Sequence, residues 1–141
     1  MRLVQGYTLA IGHRGDTRDF VALRKAGVVA IVDLAVNELP LTPPREMVYC
    51  RFPMVDGAGN TRALIRGAIE VTASLVRSRV MTLVMCSAGM SRSPAIAAGA
   101  IAVVGLRPPG QCLVEVTHGA AADVSPGFWG DVVAVVAEMR R

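Results

Sequence analysis

Short apolar bursts and amphipathic stretches take turns along this chain, and each has its own period. Residues 7–11 (YTLAI) predict a first strand, closed by Gly12. Asp16 stands where the cap of a following helix belongs. Phe20, Leu23 and Ala26 then recur at helical spacing, and Gly27 ends the run. Residues 28–34 (VVAIVDL) are continuously apolar up to Asp33, which suits a strand covered on both faces. Residues 47–52 (MVYCRF) predict another strand. From Thr61 to Arg77 the apolar positions Leu64, Ile65, Ala68, Ile69, Thr72, Leu75 and Val76 line one side of a helix. Residues 80–86 (VMTLVMC) predict a further buried strand. A helix is expected to start near Arg92 and to carry the small apolar residues from Ala95 to Val104. Two more are expected over 111–119 and 127–139, the last announced by Ser125 and Pro126.

Strands alternating with helices predict an α/β fold: a central, mainly parallel sheet of four to five strands flanked by helices. The proline patches at Pro40, Pro43 and Pro44 and at Pro108 and Pro109 are short enough to be loops. No repeat or linker interrupts the 141 residues, so one catalytic domain, 1–141, is expected.

Composition narrows the picture. Although 52% of the residues are hydrophobic, no uninterrupted run reaches the roughly 18–20 apolar residues of a membrane span. The first residues lack a signal-peptide core, so a cytoplasmic protein without a membrane partner is expected. The net charge is +4, with Lys25 the one lysine beside fourteen arginines. These positives are scattered and aromatics are few, which argues against a dedicated nucleic-acid surface. A mild positive field still favours anionic substrates. The three cysteines, Cys50, Cys86 and Cys112, give neither a disulfide framework nor a zinc pattern, and no metal or cofactor is expected. His13 and His118 sit in no recognisable motif. They read as structural or surface residues, Cys50 and Cys112 as core or helix residues, and Trp129 as packing for the last helix. Asp33, inside a buried strand, is expected to hydrogen-bond to loop backbone.

The informative segment is 84-VMCSAGMSRSP-94. Cys86 ends an apolar strand, Arg92 follows six positions later, and a helix begins at the arginine. Ligands of open α/β sheets bind at the carboxyl ends of strands. A strand–loop–helix unit also aims backbone N–H groups and a helix N-terminus at one point, which makes an anion site. Ser87, Ala88, Gly89, Met90 and Ser91 form a loop long enough to ring a phosphate, with Arg92 returning alongside the cysteine. A nearby cation and a helix N-terminus favour a thiolate nucleophile. The planar fork of Arg92 can hold two phosphate oxygens. Ser93 is placed either to donate a hydrogen bond to the sulfur or to cap the helix.

This Cys-x5-Arg spacing followed by serine resembles the signature of the protein tyrosine phosphatases, and most closely their dual-specificity branch. Residues 27–36 (GVVAIVDLAV) are similar to the family's early strand, 52–60 (FPMVDGAGN) to its general-acid loop, and 125–131 (SPGFWGD) to the opening of its last helix. The match runs from about residue 7 to the C-terminus. The resemblance implies a phosphatase that hydrolyses phosphotyrosine, and with it phosphoserine or phosphothreonine, through a phosphocysteine on Cys86. It assigns Asp56, thirty residues before Cys86, as the general acid, carried on a polar glycine-containing loop able to move over a substrate.

Two places depart from the family: about 99-GAIA-102, where many eukaryotic relatives carry Ala-Tyr-Leu-Met, so substrate docking does not carry over from those relatives, and the residue before the nucleophile. Met85 stands where a histidine usually precedes the nucleophile, and methionine supplies no hydrogen bond. Three other readings follow. A weakly active pseudophosphatase would bind a phosphorylated ligand without turnover. A phosphatase could instead act on a non-protein phosphate monoester, although the uncharged phosphate loop speaks against phosphoinositides. A sulfurtransferase would leave Asp56 unexplained, and an arsenate reductase usually needs resolving cysteines, which Cys50 and Cys112, distant from Cys86 in sequence, do not offer. A monomer acting on a phosphorylated protein or other phosphate monoester is the expectation.

Overall fold

The apolar bursts become the strands of one five-stranded sheet. The computed structural model describes all residues, 1–141. The strands are β1 (Arg2–Leu3), β2 (Leu9–His13), β3 (Ala30–Ala35), β4 (Val48–Met54) and β5 (Thr82–Cys86). Their order is β1-β2-β5-β3-β4. The short β1 runs antiparallel to β2, and every other pairing is parallel. The helices are α1 (Phe20–Lys25), α2 (Arg62–Arg77), α3 (Arg92–Gly105), α4 (Pro109–Thr117) and α5 (Pro126–Met139), with a 3-10 helix at Arg14–Arg18.

The sheet order places β5 at the centre. β2 pairs with it on one side and β3 on the other, so its carboxyl end is walled by both neighbours. The alternation of a strand sends successive side chains to opposite faces. Cys86 and Val84 belong to a large core of 24 residues, with α2, α3, α4 and α5 on that face. Met85 and Leu83 belong to a smaller core of 7 residues on the other face, packed with Leu23 of α1, Ile31 and Met47. Helices do flank the sheet on both sides, but unequally.

Helix α3 is the axis of the larger layer. Every residue from Arg92 to Ala102 is buried. Its alanines let neighbours approach closely, since interhelical distance follows the side chains at the contact. Gly99 takes this to the limit: a Cβ there would sit 3.1 Å from Val132 of α5 and 3.2 Å from Ile69 of α2. The small-residue helix is what lets α2 and α5 close over one another's neighbour.

Several expected boundaries move. The strand expected over 7–11 is β2, which begins two residues later and runs on to His13, and β1 ahead of it is not among the expected strands. Asp16 does not cap α1. It serves the 3-10 helix, where His13 and Asp16 form a capping box, and Asp19 caps α1 by accepting from the Ala22 N–H at 3.0 Å. Gly27 does end that helix, at φ +90°. Thr61 caps α2, accepting from the Leu64 N–H at 3.3 Å. Cys112 is core, Trp129 packs against it, and Cys50 is half-buried on β4. No helix is long and apolar enough to cross a membrane.

Asp33, fully buried, bonds differently from expectation. Its carboxylate accepts the Ala35 N–H of its own strand at 3.2 Å and the Tyr49 hydroxyl at 2.6 Å. The Arg51 guanidinium lies 3.8 Å away. The loop is reached only through Tyr49, whose oxygen accepts the Leu41 N–H at 3.0 Å. Burial, reinforced by the bond to Asp33, raises the Tyr49 pKa above its usual value. A group with a raised folded-state pKa contributes stability below its unfolded value, near 10, and loses it as pH rises through the folded value. Replacing Tyr49 with Phe is therefore expected to lower stability at neutral pH by about 1–3 kcal/mol, because Asp33 loses a donor. The same variant is expected to show a shallower fall in stability above about pH 10. Urea unfolding from pH 7 to 11 reads both effects.

Candidate active site

The end of β5 passes into the loop without a break in hydrogen bonding. His13 lies opposite Cys86 in the ladder, and the next N–H, of Arg14, donates to the Ser87 carbonyl at 3.2 Å. The chain then turns sharply at Gly89, where φ is +73°. A Cβ there would stand 2.9 Å from the Gly12 carbonyl oxygen, so both the backbone angle and the space require glycine. That turn aims the Gly89 N–H at the Cys86 sulfur, 3.3 Å away. The Ser93 hydroxyl lies 3.3 Å from the same sulfur, on the first turn of α3. Cys86 is thus a buried sulfur, 2% exposed, with two hydrogen-bonding groups directed at it.

Ser93 does not cap α3. Ser91 holds the N-cap position, yet it makes no capping bond. Its hydroxyl instead donates to Asp56 Oδ1 at 2.6 Å and accepts the Ser125 N–H at 2.9 Å. A capping serine ordinarily satisfies one of the free N–H groups of the first turn and is worth about 1 kcal/mol. Here that hydroxyl is diverted to tie the Cys86–Arg92 loop, the Asp56 loop and the start of α5 together. The first turn of α3 also carries no acidic residue.

Arg92 enters this same turn and is only 7% exposed. Its Nη1 donates to the Met54 carbonyl at 2.8 Å and to Asn37 Oδ1 at 3.0 Å. Nη2 reaches Ser87 Oγ at 3.4 Å, while buried Nε meets no protein acceptor. No carboxylate forms an ion pair with it. Asn37 also donates to Ser87 Oγ at 2.8 Å, so one side chain braces both the arginine and the loop. Asn37 was not among the residues expected from the motif. Its one sequence signal is its place just past the carboxyl end of β3, next to β5.

The Asp56 loop is pinned rather than loose. Asn60 closes it by accepting the Val55 N–H at 2.9 Å and donating to the Val55 carbonyl at 2.9 Å. Ala58 packs on Gly127, where an added Cβ would meet Ala58 Cβ at 3.1 Å. Ser91 holds the carboxylate itself. The loop expected from its glycines to move over a substrate is held at three points.

Cys86, Ser87, Ala88, Met90, Ser91, Arg92 and Asp56 line one cavity of about 220 Å³. Gly89 and Ser93 stand behind this wall, against the sulfur. Asp123, from the loop before α5, lines the cavity too, and nothing in its sequence context marked it. Met85 points into the opposite core, so the side chain at this position packs below the sheet instead of facing the cavity. Among the remaining candidates, His13 and His118 stay outside the cavity, and no group of three or more His, Cys, Asp or Glu side chains could hold a metal ion.

No protein-family model and no curated protein matches this sequence. Solved structures do. Human DUSP28 superposes with a TM-score of 0.82 at 21% identity, over 94% of this chain and 94% of that one. A mouse putative dual specificity phosphatase, complexed with zinc tungstate, gives 0.81 at 20% identity, over 94% and 84%. The human tyrosine phosphatase-like serine/threonine/tyrosine-interacting protein gives 0.78 at 17% identity, over 95% and 94%. The chain therefore has the dual-specificity-phosphatase fold, as the resemblance implied.

Gly89 offers a direct check on the loop. Gly89→Ala places a side chain in the left-handed region and against the Gly12 carbonyl. Strain of this kind costs about 1–3 kcal/mol, and a loss of that size is expected in urea unfolding. A Gly57→Ala control, with open space around its Cβ, is expected to change stability by under about 0.5 kcal/mol.

Proposed function

We propose that this protein, acting as one catalytic domain over residues 1–141, hydrolyses phosphate monoesters through a phosphocysteine on Cys86. One observation carries the reading: a buried arginine, without a carboxylate partner, lines the same small cavity as a sulfur that faces hydrogen-bond donors. A buried cation lacking a counter-charge is costly, and a phosphate dianion supplies that charge. The positive end of α3 adds to the same demand.

The reaction balances with the residues present. The Cys86 thiolate attacks phosphorus in line, forming the S–P bond as the P–O bond to the leaving group breaks. Asp56 gives its proton to the departing oxygen. Arg92 and the loop N–H groups meet the charge spread over the phosphoryl oxygens. Water then attacks phosphorus, Asp56 takes its proton, and the S–P bond breaks. Ser93 donates to the sulfur as its electron pair returns, and inorganic phosphate leaves. Ser91, by holding Asp56 Oδ1, positions the acid without touching substrate.

The substrates this reading favours are phosphotyrosine and, with it, phosphoserine or phosphothreonine. The retained set of Cys86, Arg92, Asp56 and Ser93 around one cavity supports an enzyme over a phospho-ligand binding module. Para-nitrophenyl phosphate separates the two. Turnover by the wild type that Cys86→Ser abolishes is the enzyme's result. Phosphopeptide binding without turnover is the module's result and would sink the proposal.

Two further variants test the roles. Arg92→Lys keeps the charge but loses the fork, and a drop in kcat/KM of at least about 100-fold is expected. Ser91→Ala releases Asp56. On phenyl phosphate, whose leaving group needs protonation, kcat is expected to fall about tenfold or more. On para-nitrophenyl phosphate the expected fall is under about threefold, because that leaving group departs readily unprotonated. An equal loss on both substrates would remove Ser91 from acid positioning.

A further inference from the structure

The charges lining the catalytic cavity are Arg92, Asp56 and Asp123. Two of them are engaged by the fold. Arg92 is held by Asn37 and Met54, and Asp56 by Ser91. The Asp123 carboxylate is different: it is exposed and has no hydrogen bond or ion pair to the protein. Its backbone is nonetheless fixed, because its N–H donates to the Met90 carbonyl at 2.9 Å. The loop wall beside it is uncharged. Ala88 and Met90 continue from the cavity into a neighbouring groove with Gly119, Ala120 and Ala121, whose far side carries Arg2, held by the Val116 carbonyl, His13, and the Met1 amino group, paired with Asp16. Within the catalytic cavity itself, the groups next to the phosphate therefore pass one charge that the fold leaves unengaged, and that charge is negative.

We infer that Asp123 is a specificity-determining residue that selects phosphopeptides carrying arginine or lysine next to the phosphorylated residue. This inference rests on the phosphatase reading and deepens it by naming the substrate class. The physics is charge complementarity at a rim: a side-chain cation on the peptide meets a carboxylate anchored to the phosphate loop. An acidic neighbour on the peptide meets repulsion at the same point. Buried Arg92 Nε, which has no protein acceptor, keeps the inner end of the cavity committed to the phosphate, so the two ends of the site ask for opposite charges. Arg14 does not offset Asp123, since its guanidinium is held by the Leu39 carbonyl at 2.6 Å and it does not line the cavity.

The test uses two phosphotyrosine peptides identical except for flanking Arg-Arg or Glu-Glu, with each protein serving as its own reference. In 50 mM salt, wild-type kcat/KM is expected to favour the basic peptide by about three- to fivefold, as an exposed ion pair allows. The preference should shrink with added salt, since an exposed pair is screened. Asp123→Asn should bring the ratio close to one, and Asp123→Lys should invert it. The same peptides are titrated by fluorescence anisotropy against Cys86→Ser and Cys86→Ser/Asp123→Lys, which reads recognition without turnover. No preference in the wild type, or one that Asp123→Lys leaves unchanged, overturns the inference even if para-nitrophenyl phosphate is hydrolysed. A preference that residue 123 controls in binding, without hydrolysis of any substrate, overturns the phosphatase reading and leaves the inference standing.

Discussion

The structure is organised around a cation at the positive end of a helix. Arg92 sits in the first turn of α3, where the helix dipole already favours negative charge, and it is buried without forming an ion pair to a carboxylate. Folding tolerates this because neutral oxygens of Met54 and Asn37 solvate the guanidinium. Those partners come from the carboxyl ends of β4 and β3, so the sheet order is what brings them within reach. The central strand β5 then delivers Cys86 to the same place. The unfavourable charge is confined to one cavity, where Asp56 is held by Ser91 and the Asp123 carboxylate is left without a protein partner.

Ser91 shows how the site takes groups that stability would use otherwise. As the N-cap of a long buried helix it would ordinarily bond to the helix's own N–H groups. Its hydroxyl instead couples Asp56 to Ser125, joining three segments far apart in sequence. The first turn of α3 is left with its donors free for an anion. Gly89 makes a comparable trade, accepting a left-handed backbone so that its N–H faces the sulfur. The compensation lies in the layer behind, where α3 is buried from Arg92 to Ala102 and packs against α2, α4 and α5.

The position of Met85 becomes simple in this setting. A strand residue adjacent to Cys86 points to the opposite face, and there it fills the smaller core with Leu23, Ile31 and Met47. Asp33 is its register neighbour on that face, with its carboxylate already engaged by the Tyr49 hydroxyl and the Ala35 N–H. The sequence departure is thus matched by its surroundings, and the contacts to the Cys86 sulfur come from Gly89 and Ser93.

Much of this was legible before any coordinates. Strand and helix periods, the glycine stop after α1, the Thr61 start of α2 and the Cys-x5-Arg loop are local patterns, and local patterns survive in a single sequence. The α/β architecture and the grouping of Cys86, Arg92 and Ser93 followed from them. What local pattern could not carry was any contact set by the order of strands or the approach of distant loops. Asn37 bracing Arg92, Ser91 holding Asp56, Ala58 packing on Gly127 and Asp123 at the cavity wall each join residues separated by more than thirty positions or lying in different loops. The sequence by itself determined which residues are candidates for the chemistry, because that depends on side-chain type and short-range spacing. Only the tertiary structure decided which side chains hold them in place and which carboxylate on the cavity wall is left free, because those depend on how the strands are ordered and the helices packed.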